Sequence, residues 1–133
     1  MPAFRVLVTG SRTWRDHEPI HAALDALHAD HPGMTLVHGA CAQGADGIAD
    51  RWAILRGVTV ERHPAQWRRY GRSAGPRRNA HMVALGADIA LAFIAPCRKD
   101  GCDRPGPHGS HDATNCADLA EQAGIPVQRW EVS

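Results

Sequence analysis

The sequence has almost no net charge and no long hydrophobic segment. Lys and Arg number 15 against 14 Asp and Glu, and a formal net charge of +1 argues against general attraction to nucleic acid or to an anionic membrane. No apolar run approaches membrane-spanning length, and no charged segment followed by an apolar one opens the chain. We therefore expect a cytoplasmic protein without membrane contact, in which any anion-binding site is local.

Several other signatures are missing. The 4 cysteines are not spaced like a secreted disulfide framework, so we expect reduced thiols. No internal repeat is present, and neither the G-x-G-x-x-G nor the G-x-x-x-x-G-K-[ST] pattern occurs. With 133 residues and 44% hydrophobic content, the chain has enough apolar material for one core. We expect residues 1–133 to form a single domain.

Short apolar runs alternate with amphipathic segments along the chain. We predict strands at residues 4–8, 34–39, 58–65, 88–95 and 125–130. We predict helices at residues 16–33, 42–57, 78–87 and 113–124, the first with Asp16 as N-cap. Residues 66–79 are polar and glycine-rich and are predicted to be a loop. Since parallel neighbours need crossover connections, this order predicts an α/β fold with a mainly parallel sheet.

The second predicted helix has an apolar stripe that we expect to face the core. Its members recur at helical spacing and are Ala45, Ile48, Ala49, Trp52 and Leu55.

Unusual residues follow or precede the predicted strands, at the edge where α/β sheets bind ligands. The segments are T-G-S-R-T (9–13), H-G-A-C-A-Q-G-A-D (38–46), G-P-R-R-N (75–79) and G-S-H-D-A-T (109–114). Each combines small residues, which let a backbone approach a ligand, with donors for phosphate or ribose. We predict that the ligand-binding residues are Gly10, Ser11, Arg12, Thr13, His38, Gly39, Gln43, Gly44, Ala45, Asp46, Arg77, Arg78, Asn79, Gly109, Ser110, His111 and Thr114.

These segments also have structural alternatives. Glycines after strands commonly serve turns and helix starts. Asp46 is a candidate either for a helix N-cap or for the acceptor of a ribose hydroxyl. Arg77 and Arg78 suit a solvated helix start, although cations there oppose the helix dipole, a conflict that a bound anion would resolve.

Five segments together resemble the YspA-like, cpYpsA-related group of the SLOG superfamily. They are V-L-V-T-G-S-R-T-W, L-V-H-G-A-C-A-Q-G-A-D-G-I-A-D-R-W-A, H-P-A-Q-W-R-R-Y-G-R-S-A-G-P-R-R-N-A-H-M-V, A-D-I-A-L-A-F and A-E-Q-A-G-I-P-V. The resemblance extends from about Arg5 to Val127. It implies a Rossmann-like three-layer sandwich that binds a nucleotide or nucleotide-derived small molecule, as a sensor or binding module. It also implies association into a homo-oligomer, a dimer or larger, and an origin in actinobacteria or their phages.

A more distant resemblance to the Lonely Guy phosphoribohydrolases raises an enzymatic alternative. Those enzymes carry an arginine four positions before a methionine, as Arg78 precedes Met82, and then a P-G-G-x-G-T-x-x-E loop with a catalytic glutamate. No glutamate stands in the corresponding loop, where Asp112 is the nearest acid. Cleavage of an N-glycosidic bond calls for a carboxylate near the ribose or a base for water. The catalytic candidates are therefore Arg78, Asp112 and Asp46, and we place binding ahead of hydrolysis.

The segment 97–112 is a long loop rich in Gly and Pro. Because thiolate and imidazole are zinc ligands, it is a candidate for a structural zinc ion, the one cofactor we consider. The proposed metal ligands are Cys97, Cys102, His108 and Cys116. Alternatively, Cys116 is a buried residue of the last helix, and the loop is a lid over the pocket.

Aromatic residues beside polar segments offer two further alternatives. Trp14 and Trp67 are candidates either for stacking on a base or for packing. A resemblance to the DNA-processing protein DprA draws attention to Tyr70 and its neighbouring arginines 68, 69 and 72 as a surface for single-stranded nucleic acid. The small size and near-neutral charge argue against nucleic acid as the partner.

Overall fold

The computed structural model describes residues 3–96 and 111–131, except the side chains of His111 and Asp112. The strands are β1 Arg5–Gly10, β2 Thr35–His38, β3 Thr59–Arg62, β4 Ile89–Ile94 and β5 Val127–Glu131. The helices are α1 His17–Asp30, α2 Gly44–Arg56, α3 Trp67–Tyr70, α4 Ala74–Leu85 and α5 His111–Gln122, with a 3-10 turn at Gly71–Ser73.

The strands form one parallel sheet in the order β3-β2-β1-β4-β5. Each predicted apolar run became a strand, and the predicted α/β fold with a Rossmann-like arrangement is confirmed. The chain builds outward from β1 to β3, then crosses to the other side of β1 to form β4 and β5. This reversal lies between β1 and β4.

Successive side chains of each strand lie on opposite faces of the sheet. Val6 and Val8 pack with Ile20 of α1 and Trp52 of α2, whereas Leu7 packs with the helices on the other face. Burial on both sides explains why the strands are continuous apolar runs rather than alternating ones. The result is a sandwich of three layers.

Two helices depart from their predicted form. The prediction of a loop at residues 66–79 is wrong for most of that range, which contains α3, the 3-10 turn and the first residues of α4. Helix α4 begins at Ala74, four residues before Arg78. Pro76 falls in its first turn, where the missing N–H is no loss. Leu55 is 86% exposed rather than core-facing, because at ~100° per residue it lies roughly 90° from the centre of the buried α2 face. Ala53 takes the buried place instead.

The start of α1 agrees with its prediction, since Asp16 is the N-cap and accepts the Glu18 N–H. Within the described residues, no helix has both the length and the hydropathy that are needed to cross a bilayer.

Candidate functional site

The carboxyl edge of the sheet is where β1, β2 and β4 end and where α2 and α5 begin. In open α/β sheets a ligand lies outside this edge, near the point at which the strand order reverses. The predicted segments 9–13 and 38–46 both lie along this edge.

Ser11 joins the ends of β1 and β4. Its N–H donates to Phe93 O at 2.9 Å, and its Oγ accepts the Ala95 N–H at 2.8 Å. Its carbonyl accepts N–H groups from Trp14 at 3.2 Å and from Ala45 at 3.4 Å. Ser11 is 3% exposed and thus supports the site by fixing three segments around it.

Two glycines allow α2 to approach β1. A Cβ on Gly10 would overlap Ala45 and come within 2.9 Å of Phe93 O. Gly44 has a φ of 69°, and a Cβ there would overlap Ser11 O. These glycines bring the first turn of α2 to the end of β1, so close helix packing accounts for them before any ligand does.

The side chains after Ser11 divide between solvent and core. Arg12 and Thr13 are exposed, and the Arg12 guanidinium lies over the half-exposed ring of Trp67, 5.8 Å from its centroid. Trp14 is 4% exposed and packs edge-on against Phe93, so the structure favours packing over base stacking for this residue. Trp67 remains accessible for stacking.

Asp46 is the third residue of α2 rather than its N-cap. The N-cap is Gln43, whose side chain makes no capping hydrogen bond. Asp46 reaches instead to the end of β2, where its Oδ2 accepts the Gly39 N–H at 3.2 Å. Its Oδ1 is buried and makes no hydrogen bond within the described residues.

The surroundings of Asp46 disfavour its charged form. Burial raises the pKa of Asp46 to about 6, although His38, Arg78 and the N–H groups of Cys41 and Gly39 lower it. The Cys41 N–H lowers the pKa of Asp46 but is not a hydrogen-bond partner of its Oδ1. A carboxyl that titrates near neutrality at this edge suits ligand binding or proton transfer.

Arg78 crosses from α4 to the end of β2. Its Nη1 donates to Gly39 O at 2.6 Å and to His63 O at 3.4 Å, and its Nε donates to Asn79 Oδ1 at 2.8 Å. A Cβ on Gly39 would overlap the guanidinium, so the glycine is required for this placement. Arg78 thereby places positive charge close enough to lower the pKa of Asp46.

His38 is held between two partners and is 2% exposed. Its Nδ1 accepts the Ala40 N–H at 2.9 Å, which places the ring proton on Nε2, 2.7 Å from Asp50 Oδ1. Burial would raise the pKa of Asp50, but hydrogen bonds from Arg62 and His38 outweigh it and lower the pKa. Ala40 has a φ of 62°, a left-handed conformation that His38 helps to hold.

Comparison with known proteins identifies the family of this chain. The model of the YspA, cpYpsA-related SLOG family matches residues 4–70. The "Gene 61 protein" of Mycobacterium phage D29 is 45% identical over 130 residues, covering 92% of this chain and 93% of the phage protein. The chain belongs to this SLOG family. No solved structure matches it.

The SLOG match spans the segments from β1 to α3, which hold Asp46 and the predicted residues around it. Two further predicted residues lie in α4 and α5 of this SLOG protein. Asn79 is 2% exposed, and its Nδ2 donates to Asn115 Oδ1 at 3.0 Å, so it joins the two helices. Thr114, in the first turn of α5, is half-buried.

Other predicted residues lie outside the described part of the chain. These are Gly109, Ser110, Cys97, Cys102 and His108, together with the side chains of His111 and Asp112. Cys116 is fully buried in the apolar cluster beneath α4 and α5. The described residues contain no group of three or more metal-ligating side chains, and the zinc site stays a prediction.

Sequence reasoning missed two sets of charged contacts, of which only the contacts of Asp50 include a predicted site residue, His38. Asp50 links His38 to Arg62, and Glu61 binds Arg5 at 3.0 and 2.7 Å. The helical period offered a signal for Asp50, because it lies four residues after Asp46 and therefore on the same face of α2.

Proposed function

We propose that this SLOG protein binds a nucleotide or nucleotide-derived ligand at the carboxyl edge of its sheet, as a sensor or binding module. The observation that supports this proposal most directly is the environment of Asp46. Its carboxyl is 6% exposed, and its Oδ1 has no hydrogen bond within the described residues. Buried polar atoms are nearly always paired. A ribose hydroxyl is a donor of the kind that would pair this oxygen.

Cationic and hydroxyl side chains at the same edge suit the phosphate of the same ligand. Arg12 and Thr13 are exposed just beyond β1, and Arg77 is exposed in α4 next to Arg78. The start of α2 lies at this edge without a side-chain cap, and the N-terminus of a helix attracts anions. These features support a ligand that has both hydroxyl and phosphate groups.

The test is to incubate the purified protein with mononucleotides, dinucleotides, cyclic nucleotides and NAD-derived compounds, and to analyse bound and unbound fractions by mass spectrometry. We expect an intact nucleotide to be retained by the native protein and lost from Asp46→Asn. Asp30→Asn is the matched control, since Asp30 is exposed at the end of α1. A folded native protein that retains no compound would contradict the proposal.

A phosphoribohydrolase is the second candidate, and the pKa of Asp46 near 6 favours it. A carboxyl that changes protonation near neutral pH is suited to general acid–base catalysis. The same incubation distinguishes the two functions, because hydrolysis would release free base and ribose phosphate over time. Release that persists in Asp46→Asn would exclude Asp46 as the catalytic group.

A further inference from the structure

The segment from Arg62 to Ala87 has a strong excess of positive charge. It contains 6 arginines and no Asp or Glu. Arg62 pairs with Asp50, and Arg78 donates to backbone carbonyls. The remaining four are exposed and form no ion pair within the described residues, and we name them the arginine patch: Arg68, Arg69, Arg72 and Arg77.

Local contacts hold two members of the patch close together. The guanidinium groups of Arg69 and Arg77 lie 5.0 and 4.4 Å from the centroid of the Tyr70 ring. Arg77 is fixed further, since its Nε donates to Ser73 Oγ at 3.0 Å. The ring attracts each cation, but two cations beside one ring repel each other. An anion of more than one charge would offset that repulsion.

The arginine patch adjoins the proposed site and shares Arg77 with it. Arg77 directly precedes Arg78 in α4. On the other side, Arg12 from the segment after β1 lies over Trp67, the first residue of α3. The patch is therefore joined to the proposed site at two places, through Arg77 and Arg78 in α4 and through the contact of Arg12 with Trp67.

We propose that the arginine patch binds the additional phosphates of a nucleotide that carries more than one phosphate, whose nucleoside end lies at Asp46. This inference rests on the proposed function and names its substrate class. A single phosphate would not require four exposed guanidinium groups. Because the formal net charge is only +1, the chain as a whole attracts anions weakly, and the attraction is strongest at the patch. A short patch favours a compact polyphosphate over a long nucleic acid.

The test measures binding of AMP, ADP and ATP, their guanosine counterparts and inorganic tripolyphosphate by calorimetry at low and high salt. We expect a triphosphate to bind at least about tenfold more tightly than its monophosphate, as added charge-assisted hydrogen bonds imply. The advantage should shrink as salt rises. Tripolyphosphate alone should bind and compete with the triphosphate.

The variant Arg69→Gln/Arg72→Gln should remove this advantage and leave monophosphate affinity unchanged. The charge-matched control is Arg51→Gln/Arg56→Gln, because both residues are exposed in α2 on the face toward α1. The control should keep the full preference for triphosphates.

Equal affinity for mono- and triphosphates would overturn the inference and leave the proposed function standing. Absence of binding by every nucleotide would overturn both. Tighter binding of a single-stranded oligonucleotide than of any triphosphate, lost in Arg69→Gln/Arg72→Gln, would overturn it in favour of a nucleic-acid surface.

Discussion

Replacing Asp46 with Asn should stabilise the protein at neutral pH while it weakens ligand binding. Burial is the main cause that raises the pKa of Asp46 from 3.8 to about 6. The folded protein therefore binds a proton that the unfolded chain releases between these values, and stability falls as pH rises through this interval. At about 1.4 kcal/mol per pH unit, the charged form costs up to about 3 kcal/mol above pH 7.

Asn keeps an oxygen that can accept the Gly39 N–H but carries no charge. Urea unfolding at pH 4 and pH 7.5 measures the effect. We expect Asp46→Asn to exceed the native protein by under about 1 kcal/mol at pH 4 and by up to about 3 kcal/mol at pH 7.5.

The control Asp30→Asn should change the free energy of unfolding by no more than about 0.5 kcal/mol at either pH, because Asp30 is exposed. If Asp46→Asn destabilises the protein equally at both pH values, the carboxylate is a stabilising partner and the reasoning is refuted. Nucleotide affinity should fall at least about tenfold in the same variant, since a hydrogen bond to a charged acceptor is lost.

Four other substitutions test neighbouring contacts. Gly10→Ala should lower the free energy of unfolding by about 1–3 kcal/mol, since its Cβ meets backbone and a packed methyl; unchanged urea midpoints would contradict this. Gly39→Ala should mainly displace the Arg78 guanidinium. Calorimetry should therefore show a larger loss in the free energy of nucleotide binding than in the free energy of unfolding. Arg78→Ala should abolish nucleotide binding while circular dichroism shows an intact fold, and undiminished affinity would remove Arg78 from the site. Arg5 hydrogen bonds lower the pKa of Glu61 to about 2, so Glu61→Gln should cost about 1 kcal/mol at pH 7 after solvent screening. That difference should disappear in urea titrations as pH falls from 4.5 toward 2; a difference that persists at pH 2 would exclude the ion pair as its cause.

The fold could be predicted from the sequence because its signals are local. The run from Ile89 to Ile94 is apolar throughout, as a parallel strand with helices on both faces requires. The start of α4 could not be predicted, since Ser73 makes no side-chain capping bond and the residues before Arg78 are polar and glycine-rich. Leu55 has helical spacing but lies at the margin of the stripe, where only the packed structure decides burial.

The location of segments 9–13 and 38–46 at the carboxyl edge of the sheet was also predictable, whereas the contacts of their residues were not. Small and polar residues after the strands indicated the carboxyl edge. The role of Ser11 depends on Ala95, which is 84 residues away, and Arg78 reaches Gly39 across 39 residues. Such pairs follow from the sheet order, and a single sequence gives no signal for them.

Two costs of folding coincide in the segment between β2 and α2. Ala40 adopts a left-handed conformation that favours glycine, and Asp46 buries a carboxyl with one oxygen lacking a hydrogen bond in the described part of the chain. Neither is needed to close the fold, because glycine would suit the first position and asparagine would still accept from Gly39. Costs that folding does not explain are expected where a segment is shaped for a ligand. The same segment contacts Arg78, which joins it to the arginine patch through Arg77, so the least favourable part of the fold is also the centre of the proposed site.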